Sequence, residues 1–186
     1  ALFGRWRHAR TRGVERARGI VGGAVGGHAV VAGVAIVVAP LATPPPGPAG
    51  ASLAAIAGGL GLAALGSPAQ KRAWLPAVAR GEKLVTLAVA EERAIANPAA
   101  FATVVRRRGR QLRLDGEKRY VLQGVTADAF LVAARDGRGV SVVLVPADAP
   151  GVRVTPLATF AKDRQSVVGF TNVTLPATAL AGRSGA

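Results

Sequence analysis

The chain has 186 residues, of which half are apolar, 18% are charged and none is cysteine. A chain of this length and composition can bury a core and is not a solvated disordered chain. The absence of cysteine excludes disulfides, thiol catalysis and cysteine-ligated iron or zinc. His8 and His28 stand apart from any cluster of carboxylates, so we expect no metal site and little room for a histidine-based triad.

The formal net charge is +14 and the isoelectric point is about 11.8. Such an excess often serves nucleic acid or an anionic membrane. However, 20 of the 24 basic residues are arginine, a bias typical of GC-rich coding sequence, and aromatic residues make up only 4%. That is too few for a base-stacking surface. We therefore expect no nucleic-acid partner, and a basic surface would equally suit anionic CoA thioesters.

Residues 1–47 form an atypical basic leader rich in glycine and proline. Residues 1–18 carry six arginines against one acid, and residues 19–39 carry no charge and six glycines. The uncharged run is long enough to span a bilayer, but it lacks Leu, Phe, Trp and Tyr and no clear cleavage site follows. A membrane segment, a poorly ordered leader and a misread coding stretch stay open. The membrane segment is disfavoured, and we expect a cytoplasmic protein.

Two helices are predicted next. Residues 51–66 are rich in Ala and Leu but are interrupted by glycines. Residues 59–64 match a loose dinucleotide-binding fingerprint, but no strand precedes them, so helix–helix packing through small residues is the better interpretation. Ser67-Pro68-Ala69-Gln70 predicts a capping box at the start of a second helix. Pro76 should bend or stop that helix, and Gly81 should end it.

From residue 83 the apolar residues recur with a period of two. The predicted strands are 84–90, 101–105, 111–114, 117–122, 129–134, 140–145, 152–156 and 166–175. Asp115-Gly116 is a favoured two-residue turn and predicts a hairpin between the third and fourth of these strands. Helices followed by many short strands predict an α+β fold with a β-barrel or sandwich.

Several motifs in this order and spacing resemble the acyl-CoA dehydrogenase family. They are GSPAQKRAWLP at 66–76, ARGEK at 79–83, DGEKRYV at 115–121, the stretches 127–135 and 145–152, and Val173-Thr174-Leu175-Pro176. The resemblance covers about residues 60–183. It implies that residues 48–82 are the end of the family's helical N-terminal domain and residues 83–183 its antiparallel β-barrel middle domain. It places no C-terminal helical domain in this chain.

In that family the middle domain lies against FAD, with acyl-CoA beside it, so the resemblance implies a flavin site. The residues it implies are Leu87, Val89, Ala90, Ala96, Tyr120, Val121 and Leu122. Ala90 and Leu122 replace family hydroxyls that hydrogen-bond the flavin, and residues 95–97 replace a Gly-Ser-Asp turn. Each lost hydrogen bond costs about 0.5–1.5 kcal/mol, which makes FAD binding uncertain. Leu87, Val89, Tyr120 and Leu122 would also fit an ordinary barrel core.

The family's catalytic base is usually a glutamate of the C-terminal domain, so the resemblance assigns no catalytic residue here. Adjacent strand residues point to opposite faces, and we interpret Glu91 as structural and Glu92 as exposed. Arginines 106–108 and Arg110 are candidates for a CoA phosphate, although a solvated turn is preferred.

The resemblance implies an FAD-dependent flavoprotein, truncated or part of a larger enzyme, that desaturates acyl-CoA at the α,β bond. Its partners would be acyl-CoA and further subunits of the same family, in a homo- or hetero-oligomer. Two alternatives stay open: a non-catalytic partner subunit, and a membrane-tethered β-domain that uses residues 19–39. We expect no turnover from these 186 residues alone, because loss of a general base costs about 10²- to 10⁴-fold in rate.

Overall fold

The computed structural model describes residues 49–92, 100–159 and 164–184, with only the backbone described for residues 49–52. All of these residues lie in one compact unit. The predicted leader, residues 1–47, and the candidate flavin residue Ala96 lie outside the described residues.

The first helix, α1 (Ala49–Leu65), is continuous and apolar along its length. The predicted interruption by glycines is wrong, because these glycines serve a close contact. A Cβ on Gly58 would lie 1.8 Å from the backbone oxygen of Val85, so α1 packs directly on strand backbone. The small residues therefore serve helix–sheet packing instead of the predicted helix–helix packing. Residues 59–64 lie inside the helix, which removes the dinucleotide-loop interpretation.

The second helix, α2 (Pro68–Ala79), begins with the predicted capping box. The Ser67 hydroxyl accepts a hydrogen bond from the Gln70 backbone N–H, and the Gln70 side-chain oxygen accepts one from the Ser67 N–H. The Gln70 amide also donates to the backbone oxygen of Thr178, 2.9 Å away. Pro76 does not stop the helix, which continues for one more turn before Gly81 ends it at a φ of 71°.

Eight strands follow the helices: β1 (Val85–Ala88), β2 (Val104–Arg108), β3 (Gln111–Leu122), β4 (Ala129–Arg135), β5 (Val140–Pro146), β6 (Val152–Pro156), β7 (Gln165–Pro176) and β8 (Leu180–Ala181). They form one mostly antiparallel sheet in the order β6-β7-β3-β2-β4-β5-β8, and β1 pairs with β4 in parallel. Short 3₁₀ turns at Gly124–Thr126 and Ala177–Ala179 follow β3 and β7.

The predicted α+β class is confirmed, but the sheet is open and does not close into a barrel. Within the described residues, β6 and β8 stand at its two ends and are not paired with each other. The reason lies in the strand ends: β6 ends at Pro156, which cannot donate to a ladder, and β8 is only two residues long before Gly182 turns the chain at a φ of 81°.

The predicted hairpin at Asp115-Gly116 is also wrong. Strand β3 runs unbroken through both residues, and the hairpin instead joins β2 to β3 across Gly109-Arg110. Gly116 has a φ of 140°, and a Cβ there would lie 2.5 Å from Cα of Thr103. The glycine therefore makes room for the chain entering β2, while Gly109, with a φ of 59°, supplies the turn.

Strand β4 is buried on both faces, which explains its continuous apolar sequence. Ala129 and Leu131 belong to a cluster beneath the helices. Phe130, Val132 and Ala134 belong to the larger core on the other side of the sheet. Strand β4 therefore contributes side chains both to the cluster beneath the helices and to the larger core on the other side of the sheet.

Neither α1 nor α2, the two helices of the described residues, is both long and apolar enough to cross a membrane. Residues 19–39, the candidate membrane segment, lie outside the described residues.

We expect replacement of Ser166 by alanine to stabilise the protein by about 1–2 kcal/mol. The Ser166 hydroxyl is buried, and no hydrogen-bond partner for it exists among the described residues. Ser141 is equally buried, but its hydroxyl donates to Asp136 at 2.6 Å, so Ser141→Ala is the matched control and should destabilise. Urea unfolding followed by circular dichroism measures both changes, and a loss of stability in Ser166→Ala would contradict the expectation.

Candidate functional site

Three large apolar side chains lie exposed on adjacent segments of the sheet. Leu87, Val89 and Tyr120 are 36%, 42% and 48% exposed, and we call them the apolar strip. The two segments run side by side, because the Arg119 N–H donates to the Ala90 oxygen at 2.8 Å. The interpretation of these three residues as barrel core is therefore wrong. Large side chains left together in water indicate a surface that another molecule covers.

Tyr120 owes its exposure to a bulge in β3. Residues 118–121 span three steps of β3 against two steps of β7, from Val168 to Ser166. The extra residue gives Tyr120 a φ of 57°, a left-handed conformation that is strained for a bulky residue. Without the bulge, Tyr120 would lie on the inward side with Lys118. The bulge turns its ring outward and places Val121 in the core instead.

The remaining described candidates divide between surface and interior. Val121 is buried in the main core, and Ala90 and Leu122 are half-buried. The backbone oxygen of Leu122 accepts a hydrogen bond from the Thr86 hydroxyl at 2.9 Å. Thr86 is buried, so this hydroxyl does not replace those missing at Ala90 and Leu122. The strip can thus pack against a flat apolar ring, but these positions offer no side-chain hydroxyl to its polar edge.

A buried ion pair lies directly beneath the strip. The Lys118 ammonium, with its side chain fully buried, donates to Glu91 Oε1 at 2.7 Å and to the Val89 backbone oxygen at 2.9 Å. It also lies 3.7 Å from the centre of the Phe101 ring. The Glu91 carboxylate accepts the N–H groups of Ala102 at 2.6 Å and Thr103 at 3.0 Å. Three chain segments therefore meet at one pair of charges.

Both groups of this pair titrate away from their ordinary range. Burial by itself raises the pKa of Glu91, but hydrogen bonds from Lys118, Thr103 and the Ala102 amide outweigh it and hold that pKa low. Burial lowers the pKa of Lys118, and the Glu91 carboxylate offsets only part of that effect. Glu91 is structural as predicted. Glu92 is exposed, with Arg119 at 3.7 Å.

Sequence reasoning missed Lys118 and Phe101 as members of this site. The sequence signal for Lys118 was its spacing, because alternate residues of a strand share a face. Lys118 falls on the same inward side of β3 as Leu112 and Leu114. A lysine at a core position requires a buried acid partner. Glu91 supplies that partner from 27 residues away, a separation that no local pattern reveals.

A basic cleft of about 560 Å³ lies where β2 meets the β4–β5 turn, and Arg106 and Arg135 line it. Arg138 lines an adjoining cleft of about 470 Å³. None of these three arginines forms an ion pair with a carboxylate in the described part of the chain. Asp136, which lines both clefts, accepts hydrogen bonds from the N–H groups of Arg138 and Gly139. The arginines are therefore available to an external anion.

Within the ranges that the structure describes, no group of His, Asp and Glu side chains could hold a metal ion. The apolar strip and the basic cleft are the candidate binding surfaces of the described residues.

Residues 86–173 match the family model for the acyl-CoA dehydrogenase middle domain. This part of the chain belongs to the acyl-CoA dehydrogenase family. The acyl-CoA dehydrogenase FadE12 of Mycobacterium tuberculosis is 33% identical over 129 residues, which is 65% of this chain and 33% of that protein. The chain therefore spans about a third of the length of this relative.

Solved structures agree with this assignment of the acyl-CoA dehydrogenase middle domain. A glutaryl-CoA dehydrogenase from Mycobacterium smegmatis in complex with FADH2 superposes with a TM-score of 0.64 at 31% identity, over 67% of this chain and 33% of that one. The ChsE4-ChsE5 complex from M. tuberculosis superposes with a TM-score of 0.63 at 29% identity, over 67% and 34%. Each of these similarities covers about two thirds of this chain.

Proposed function

We propose that this chain is the flavin-facing part of an acyl-CoA dehydrogenase that desaturates acyl-CoA thioesters at the α,β bond. In this division, α1 and α2 belong to the helical domain and residues 83–183 to the middle domain. The observation that carries the proposal is the apolar strip of Leu87, Val89 and Tyr120, left in water at the positions where this family faces its flavin. Bound FAD would accept the hydride.

The chain's own residues would bind and orient the flavin. Leu87 and Val89, two residues apart, present their side chains on one face of the chain, and Tyr120 adds an aromatic ring from β3. A face of this kind excludes water from one side of a flat ring. Arg106 and Arg135 of the basic cleft, with Arg138 of the adjoining cleft, would attract the phosphates of CoA. Further subunits of the same family would complete the site.

The test is a titration of the purified 186-residue chain with FAD, followed by flavin fluorescence. We expect Tyr120→Ala to weaken FAD binding by about tenfold, because it removes an aromatic contact worth roughly 1.4 kcal/mol. Leu53→Ala removes another exposed apolar side chain, from α1, and is the control. Equal FAD affinity in the parent chain and Tyr120→Ala would show that the strip does not face a flavin.

One feature favours a second function, that of a non-catalytic partner subunit. Ala90 and Leu122 stand where the family places hydroxyls, and the nearby Thr86 hydroxyl does not restore them because it is buried and donates to the Leu122 oxygen. The same titration separates the two functions. A parent chain that binds no FAD, combined with binding in an Ala90→Thr/Leu122→Thr variant, would favour the partner role. Binding by the parent chain favours the flavoprotein.

A further inference from the structure

The stretch that follows β1 lacks the support of a strand ladder. Pairing of β1 with β4 ends at Ala88, opposite Val132. Val89 and Ala90 nevertheless carry part of the flavin-facing surface. Each of their backbone oxygens accepts one hydrogen bond, from the Lys118 ammonium at 2.9 Å and from the Arg119 N–H at 2.8 Å. Both donors belong to consecutive residues of β3.

Lys118 lies where the regular pairing of β3 with β7 is interrupted. It is the last residue paired with β7, opposite Val168, before the bulge that turns Tyr120 outward. The position of Lys118 therefore affects both parts of the apolar strip: Val89 through a hydrogen bond, and Tyr120 through the start of the bulge.

The buried Lys118 ammonium has two hydrogen-bond acceptors and one aromatic ring around it. An ammonium group has three N–H donors. Two point to Glu91 Oε1 and to the Val89 oxygen, and the Phe101 ring lies against the same group. Glu91 in turn fixes the chain before β2 through the Ala102 and Thr103 amides. Apolar residues of similar volume could fill this space without loss of stability, but they could not hold the Val89 oxygen.

We infer that Glu91 and Lys118 are positioning residues. Their contacts hold the Val89–Ala90 segment and the Tyr120 bulge in the relative position that a flavin would require. This rests on the proposed function. Neither residue touches the flavin surface itself, since both side chains are buried beneath it. Their role is to hold the Val89–Ala90 segment beside β3, so that the apolar strip forms one continuous surface.

The experiment uses the double variant Glu91→Gln/Lys118→Met in the full chain, which removes both charges and keeps their volumes. Tyr120 is the single tyrosine of the sequence, so 3-fluorotyrosine labels it alone for ¹⁹F NMR. We expect a folded variant with a shifted Tyr120 resonance and FAD affinity weakened by about tenfold. The control Arg80→Gln/Glu82→Gln removes an exposed ion pair on the surface and should change neither.

A folded double variant with the parent Tyr120 resonance and unchanged FAD affinity would overturn the inference. If the double variant does not fold, amide exchange in the parent chain decides. The Arg119 N–H, which holds Ala90, should then exchange as slowly as the N–H of Val168, which lies in β7 between β3 and β6, and fast exchange at Arg119 overturns the inference. The NMR and exchange measurements need no flavin, so failure of FAD binding in the parent chain contradicts the proposed function separately.

Discussion

Replacing Gly58 by alanine should lower the free energy of unfolding by about 3 kcal/mol or more, the upper end of what overpacking costs. The new Cβ would lie 1.8 Å from the Val85 oxygen and 2.4 Å from the Val85 carbonyl carbon. These are backbone atoms of Val85, which is fully buried and paired with Ala129 of β4, so they cannot move aside. Helix α1 would have to lift away from the sheet and expose Leu62, which is fully buried.

Gly61→Ala is the matched control in the same helix. Its Cβ would meet only side-chain atoms, those of Leu131 at 3.0 Å and Leu87 at 3.2 Å, which need to shift by only a few tenths of an ångström. Alanine also gains about 1 kcal/mol in helix propensity over glycine, so this variant should be close to neutral. Urea denaturation followed by circular dichroism gives both values. Equal stabilities of the two variants would mean that α1 does not rest on the β1 backbone at Gly58.

The second large effect should be a loss of folding stability at low pH, and Asp136 should account for part of it. The Asp136 carboxylate accepts hydrogen bonds from Ser141, Ser184 and the amides of Arg138 and Gly139. Burial alone raises the pKa of Asp136, but these hydrogen bonds outweigh it and hold that pKa far below the ordinary value. A carboxylate with a depressed folded-state pKa contributes stability above its unfolded pKa of about 4, and this is lost as the pH falls toward the folded-state value. Glu91 acts in the same direction.

Asp136→Asn should therefore cost about 2 kcal/mol at pH 7, because four charge-assisted hydrogen bonds become weaker at a half-exposed site. The variant should also lose less stability than the parent chain between about pH 4 and about pH 2, since the charge is already gone. The measurement is the free energy of unfolding as a function of pH. Asp148→Asn, at an exposed carboxylate after β5, should reproduce the parent curve; an unchanged slope in Asp136→Asn would exclude Asp136 as a source of acid sensitivity.

The features that the sequence predicts well are those set by neighbouring residues. The capping box at Ser67 and Gln70 forms because both partners lie three residues apart. Strand β6 has the predicted bounds because period-two alternation and flanking turns mark both ends. The order of helices before strands follows from the same local periods.

The errors arise where distant residues decide. Asp115-Gly116 has the local signature of a turn, yet Thr103 passes so close to Gly116 that the glycine serves packing in a continuous strand. The bulge at Tyr120 depends on the register against β7, which lies more than forty residues further along the chain. The exposure of the apolar strip and the Glu91–Lys118 contact follow from these long-range pairings, so neither could be derived from local pattern.

The parallel pairing of β1 with β4 has a consequence for the order in which the chain becomes structured during synthesis. Val85 pairs with Ala129, roughly forty-four residues later. A ribosome adds about 5–20 residues per second, so β1 emerges about 2–9 seconds before the strand that pairs with it, and α1 emerges earlier still. During that interval the apolar surface of α1, which includes Leu62, is without its sheet. The nascent chain at this stage should be a substrate for holdase chaperones, and slowing translation between residues 90 and 129 should lower the yield of folded protein.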